Sequence, residues 1–338
     1  MKITFFDAHG NLSYNPNTEL NVGVGGAETV LIQTAKALAK RGHDVSVYIN
    51  CNFPDIYDDV RYYKYFDYVP QFEDVLVGFE NFPAKHTAKK VVNFVNRFYT
   101  EDVQRFPDVD KIIVVSQWHK DYFASLLHES IISKMSVVNP GVDESFFNPE
   151  IIKQPFNITY SGHPGKGAMP SLIPIMERLR LKLPQAQIHV YGGGGLWGWD
   201  NDQYRPIYNK LIKMRVSYHG QIGKEEMKMR LNQAEIFLYP VGSHHKETVP
   251  LAILEAMAAG CVIIASDNGN IRNLVGDKGF VIAGDINHYT WSMEVVDRIV
   301  KLYANPELMQ ELSNKSREFA RQYTWNRTAE QFEKEVLL

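Results

Sequence analysis

Residues Ile236–Ser266 read IFLYPVGSHHKETVPLAILEAMAAGCVIIAS. Ile236–Tyr239 and Val262–Ala265 are wholly apolar runs of strand length. Between them Pro250–Ala259 has helical length, and Pro250 suits the first turn, where its missing N–H would go unpaired anyway. Strand, helix, strand in that order is a parallel crossover unit. Working upstream, the same alternation gives strand Ile158–Ser161, helix Ser171–Leu183, strand Ile188–Gly192, helix Asp202–Lys213, strand Val216–Tyr218 and helix Lys224–Ala234. The first half repeats it with strand Lys2–Phe6, helix Ala27–Lys40, and strands Asp44–Ile49, Val75–Gly78, Val91–Val95 and Lys111–Ser116. Helix Trp118–Leu127 and strand Ser136–Asn139 follow. Pro149 and Pro155 bracket a polar break, so residues 149–156 read as a linker between domains 1–148 and 157–322. Helices at Tyr289–Ala304 and Pro306–Tyr323 lead into an amphipathic tail, 323–338, whose apolar face is expected to cross back to the first domain. The fold class is thus α/β, two Rossmann-like doubly wound domains expected to face a deep cleft.

Composition agrees. The chain has 338 residues, 45% hydrophobic and 22% charged, enough for two cores and unlike a disordered chain. A net charge of -3 argues against nucleic acid as a partner. Residues 1–150 carry 14 Lys/Arg against 20 Asp/Glu and the remainder 22 against 19, which places an anionic ligand on the second half. Cys51 and Cys261 form neither a disulfide framework nor a cysteine metal site. No stretch approaches the roughly 20 apolar residues of a membrane span, so a cytoplasmic protein is expected.

Chemistry in such sheets lies in the loops after strands. Gly23-Val24-Gly25-Gly26-Ala27-Glu28 opens the first helix, where unpaired N–H groups and the helix dipole attract an anion. It is not the dinucleotide GxGxxG, because Glu28 fills the sixth position, and by itself it also fits a flexible turn. Ser161-Gly-His163-Pro-Gly165-Lys166-Gly167 places Lys166 where it would neutralise a diphosphate, without P-loop spacing; a Pro/Gly turn with a solvated Lys is the bland alternative. Glu247 precedes the helix Pro250–Ala259 and Glu255 lies within it. A carboxylate inside AILEAMAA needs a hydrogen-bonding partner, for which ribose hydroxyls serve, unless it lies on a solvent face.

Other features are set aside. Asp108-Val109-Asp110 and Asp200-Asn201-Asp202 resemble metal-binding DxD, but the first abuts a strand and the second lies in a Trp/Gly/Asp turn. His244 and His245 are adjacent, point different ways and lack a third ligand, so no metal is expected. The aromatic run Tyr57, Tyr62, Tyr63, Tyr65, Phe66, Tyr68 and Phe72 reads as strand packing before it reads as a sugar platform. Lys85, Lys89 and Lys90 would allow a weak peripheral contact with the inner face of a membrane, although such a cluster is normally a solvated face.

The stretch Glu247–Ser266 resembles the E-x7-E region of retaining GT-B glycosyltransferases of family 4. Weaker signatures follow in that family's order: GGAE at Gly25–Glu28, a strand ending in Ser116, Asn139-Pro-Gly-Val-Asp143, and the Gly-Lys-Gly turn at Gly165. The resemblance spans almost the whole chain. It implies the GT-B fold and a nucleotide-diphospho-sugar co-substrate, a UDP- or GDP-sugar, on the second domain with no further cofactor. It also implies transfer of a hexose-type sugar with retention to a glycan, lipid-linked or small-molecule acceptor held mainly on the first domain. By position, Glu247 would contact the donor sugar and Glu255 the ribose. Lys166, Gly165, Gly25, Gly26 and the N–H groups about Thr248, Val249 and Leu251 would stabilise the diphosphate, and Tyr218 and Gly220 would lie by the base. Two positions depart from the family. Asn96 stands near its usual active-site His, leaving Asn96 or its carbonyl for that task, and the Arg that many members place with Lys166 is not obvious, leaving His163 or another basic residue to substitute. A catalytically weak nucleotide-sugar-binding protein of the same fold is therefore the alternative. An epimerase lacks an acid/base pair, and a pyridoxal phosphorylase lacks a cofactor Lys.

Overall fold

The computed structural model describes residues 1–9, 11–200 and 202–338. They form two compact units, one of Met1–Glu19, Val24–Gly141 and Tyr323–Leu338, the other of Leu20–Gly23 and Val142–Gln322.

The first unit is built on β1 (Lys2–Phe6), β2 (Asp44–Ile49), β3 (Ile56–Tyr57), β4 (Val60–Lys64), β5 (Phe72–Phe79), β6 (Thr87–Val95), β7 (Lys111–Val114) and β8 (Met135–Val137). They lie in the order β3-β4-β2-β1-β5-β6-β7-β8, parallel except for β3 against β4. The central strands are near-continuous buried apolar runs, as a parallel sheet covered on both faces requires. Helix Gly26–Lys40 covers it with Val30, Leu31, Ala35 and Leu38. The tail helix Trp325–Phe332 also packs in this unit, with the Phe332 ring 6.2 Å from Phe5. Arg41 and His43 both reach Glu333, at 2.7 and 2.9 Å, and the Thr328 hydroxyl donates to the Asn139 carbonyl (2.8 Å).

The second unit has β9 (Asn157–Ser161), β10 (Gln187–Tyr191), β11 (Ser217–Gly220), β12 (Ile236–Tyr239), β13 (Val262–Ser266) and β14 (Gly279–Ile282), all parallel, in the order β11-β10-β9-β12-β13-β14. Its core begins earlier than the linker read from sequence. Val142 and Phe146 are buried in it, so the units part between Gly141 and Val142.

Three strands escape the sequence reading. The pair β3–β4 hides in the aromatic run, where Tyr62 is buried and Tyr48 stacks on Tyr63 at 4.9 Å. The strand β14 is GFVI, only four residues long and too short to show a period. Helix Ser171–Leu183 begins instead at Ala168, behind Gly167, which sits at φ 78 where a side chain would be strained.

Each sheet reverses its direction of growth once. In the first unit the chain builds outward from β1 on one side and resumes with β5 on the other; in the second the reversal falls between β9 and β12. Carboxyl ends of strands at such a reversal are where open α/β sheets bind ligands.

Candidate functional site

In the second unit the reversal brings together loops far apart in sequence. Lys166 follows β9; Tyr239 ends β12, with Glu247 in the loop beyond. Lys166 Nζ donates to Glu247 Oε1 at 2.7 Å and to the Tyr239 hydroxyl at 3.0 Å, and that hydroxyl donates to the same Oε1 at 3.0 Å. Glu247 is 4% exposed. Burial alone would raise its carboxyl, but Lys166, His245 and Tyr239 overcome that and hold it below the usual value. An ion pair this dry contributes little net stability, yet losing either partner strands a charge, at a cost of about 3–5 kcal/mol. Two of the ammonium's three donors are spent inside this triangle.

The backbone fixes Glu247. Its carbonyl accepts from the Asn270 N–H at 2.7 Å, and a Cβ on Gly269 (φ 58) would lie 2.2 Å from that oxygen. The Asn268 amide donates to the carbonyls of Gly242 and His245 at 2.9 and 2.7 Å. His244 bonds the Gly165 carbonyl, and the half-buried His245 lies 3.7 Å from Glu247. The helix Leu251–Ala258 starts behind Pro250 without a side-chain cap, with Thr248, Val249 and Leu251 at its entrance. Within it Glu255 is buried rather than solvated, and Lys224 donates to it at 2.5 Å.

One expected role needs correction. His163 supplies no charge beside Lys166: its ring stacks 3.6 Å from Trp197, burial pushes its imidazole down to about 4, and Nδ1 accepts the Gly165 N–H at 2.9 Å. It shapes the loop instead. Tyr218 stacks on Tyr208 at 4.4 Å and donates to the Gly192 carbonyl at 3.1 Å. Gly220, at φ 72, ends the same strand.

In the first unit Gly25 caps the helix Gly26–Lys40 with its carbonyl, which accepts from Thr29 N–H (3.1 Å). Asn96 follows β6, and its backbone N–H, like that of Arg97, donates to Glu80 Oε1, at 2.8 and 2.9 Å. Around the reversal stands a cluster that sequence reading misses. His9 Nδ1 lies 2.7 Å from Asp7 Oδ1, the Tyr14 hydroxyl donates to Asp7 Oδ2 at 2.7 Å, and Asn81 donates to Asp7 at 3.2 Å. Arg97 pairs with Glu80 (2.6 Å) and Asp102 (2.8 Å). Burial, with Asp7 and Glu80 nearby, lifts the Glu28 carboxyl to about 7. Behind this cluster His119 is wholly buried, bonds the Arg97 carbonyl at 2.9 Å and is pushed by burial to about 4.

The features set aside on sequence are also placed. Asp110 accepts from the Val91 N–H at 2.7 Å as a strand-edge residue; Asn201, in the second DxD, lies outside the described residues. No group of three potential metal ligands occurs among the described residues. In the lysine cluster Lys89 pairs with Asp74 at 3.0 Å and Lys90 bonds the Val336 carbonyl of the tail. No described helix is long and apolar enough to cross a membrane.

Residues 143–319 match the family described as glycosyl transferases group 1. The sulfoquinovosyl transferase of Arabidopsis thaliana is 24% identical over 209 residues, covering 57% of this chain and 38% of its own length. The chain thus spans well under two thirds of that curated relative. Among solved structures, sucrose-phosphate synthase from Thermosynechococcus elongatus superposes with a TM-score of 0.77 at 17% identity, over 98% of this chain and 97% of that one. HepE of Anabaena, solved in complex with UDP-glucose, does so with 0.73 at 17% identity, over 100% and 99%.

Proposed function

Because the chain belongs to the group 1 glycosyl transferases and has the GT-B fold, we propose that it transfers a hexose-type sugar, with retention and without a metal, from a nucleotide-diphospho-sugar. The acceptor is a glycan, a lipid-linked or a small-molecule hydroxyl. The observation that carries this reading is the Lys166–Tyr239–Glu247 triangle at the reversal of the second sheet. There a fixed cation faces the place where leaving-group charge grows, and a carboxylate lies beside it to accept sugar hydroxyls. In this reading Lys166 takes the diphosphate with the N–H groups at the entrance of helix Leu251–Ala258. Glu255 accepts from the ribose, exchanging part of its bond to Lys224. The UDP-glucose complex of HepE makes UDP the first base to test, ahead of GDP.

The test is a thermal-shift screen of UDP, GDP, ADP, CMP and TDP with their common sugars, with and without EDTA. Ligand at 100 times its Kd stabilises a protein by about 2.7 kcal/mol, a readily measured shift. A metal-independent shift with one diphosphate is the expected outcome, and no shift with any of them would overturn the donor assignment. Tight binding without transfer or slow donor hydrolysis would instead favour the catalytically weak binding protein, which the Asn at position 96 keeps in view.

A further inference from the structure

We propose that Trp197, Trp199 and His245 wall the sugar side of the Glu247 site and restrict the donor to an uncharged sugar. The inference rests on the transfer reading above, in which Glu247 accepts sugar hydroxyls, and it deepens that reading by naming the class of donor.

The wall lies wholly within the second unit and is built by three loops. His163 follows β9, Trp197 and Trp199 follow β10, and His245 follows β12. The three strands are neighbours and run parallel, so these loops open at one carboxyl edge. Trp197 stacks on the buried ring of His163, with centres 3.6 Å apart and planes 12° from parallel. Trp199 stands edge-on to both rings at 5.4 Å and is 42% exposed. His163 therefore anchors one indole, and that indole supports the second. From this anchor the wall leads to the carboxylate: the Trp197 ring lies 6.4 Å from that of His245, whose Nε2 is 3.7 Å from Glu247 Oε1. A few polar groups set into aromatic walls are what orient a small ligand. A pyranose suits this one, because its C–H face packs on an aromatic ring while the hydroxyls at its rim reach a carboxylate.

The same wall gives a charged sugar nothing to pair with. Burial drives the His163 imidazole down to about 4, and burial, with Lys166 and His244, lowers that of His245 against the pull of Glu247. Lys166 is the fixed cation acting on both rings, and it is already bonded to Glu247 and Tyr239. A uronate carboxylate placed here would face the buried Glu247 carboxylate among neutral rings, and like charges in so dry a place oppose one another strongly. Discrimination of this kind comes from the penalty on the wrong sugar as much as from contact with the right one.

Isothermal titration of the full chain tests this with pairs that share a base and a sugar ring: UDP-glucose against UDP-glucuronate, UDP-galactose against UDP-galacturonate, and GDP-mannose against GDP-mannuronate, with UDP and GDP alone as references. The neutral member of the pair that binds is expected to do so at least about 10-fold tighter than its uronate. Trp197→Leu and Trp199→Ala should each weaken the neutral donor about 5-fold or more and leave the bare diphosphate as in the wild type. His245→Lys, which supplies the missing cation, should narrow the gap between the two sugars. A uronate bound as tightly as its neutral partner in the wild type overturns the proposal. So does a neutral donor whose affinity survives both tryptophan substitutions. In those cases the bare diphosphate still binds and the donor reading stands; absence of binding by either diphosphate is the failure of that reading, and the wall falls with it.

Discussion

The two sheets solve the same topological problem with opposite electrostatics. At the reversal of the second sheet, charges come in closed pairs: Lys166 with Glu247, Lys224 with Glu255, and two histidines held neutral by burial. At the reversal of the first, carboxylates outnumber cations, with Asp7, Glu28, Glu80 and Asp102 against Arg97 and His9. A balanced, dry pair is suited to exchanging one anion for another, because the cation is already in place and its counter-ion can take hydroxyls. An acidic edge repels a diphosphate and favours hydroxyl donors. The difference between the two edges therefore predicts a division of labour, nucleotide sugar on the second unit and hydroxyl acceptor on the first.

The sharpest way to break this division is Glu247→Gln. It is expected to cut transfer about 10²–10³-fold with nucleotide affinity changed only a few-fold, as steady-state kinetics and calorimetry would show. If affinity collapses while the rate of bound donor holds, the carboxylate serves binding alone. Gly269→Ala comes next: with φ 58 and no room beside the Glu247 carbonyl, it should cost about 2 kcal/mol or more in a urea titration and lower turnover as Glu247 shifts. Donor binding as strong as in the wild type would show that the loop need not be held.

Acid sharpens the comparison by treating the two units alike. His119 in the first and His163 in the second are both held near 4, whereas an unfolded chain protonates them near 6.5. The folded state thus resists the proton, so this stability is full above pH 6.5 and drains as pH falls toward 4. Each wholly buried imidazole is worth about 2 kcal/mol between pH 6.5 and 5. Urea midpoints at pH 7.5 and 5 should converge in His119→Phe, and an unchanged gap would sink the assignment. The smallest effect belongs to the tail. Arg41→Ala should cost about 0.5–1 kcal/mol, less at high salt, because its bonds to Glu333 are partly exposed. That contribution is present above the ordinary carboxylate range and lost as pH falls toward about 2, where Arg41 and His43 hold Glu333.

How legible each half was follows from the same contrast. Glu247, Glu255 and Lys166 announced themselves because each sits in a local pattern: two acids eight residues apart around a helix start, and a Gly-Lys-Gly turn after a strand. Tyr239 and Lys224 did not, since a Tyr ending a strand and a Lys opening a helix are ordinary until the fold points them at a buried carboxylate. Asp7, His9, Glu80 and Arg97 had no pattern at all. They are scattered over the ends of three strands, and only the pairing of β1 with β5 and β5 with β6 assembles them. His163 misled because its sequence neighbours are basic and glycine-rich, while the Trp197 ring that neutralises it lies in another loop. Pattern reports what one segment does, and electrostatics depends on what several segments share.

The central claim is that Lys166 receives the diphosphate, and isothermal titration of UDP in EDTA tests it most directly. Wild type, Lys166→Met and the double variant Lys166→Met/Glu247→Gln, which removes the stranded carboxylate, would be compared. Metal-independent binding to the wild type that weakens at least about 10-fold in both variants is the predicted result. Equal affinity in all three, or binding that appears only with a divalent metal, would contradict it.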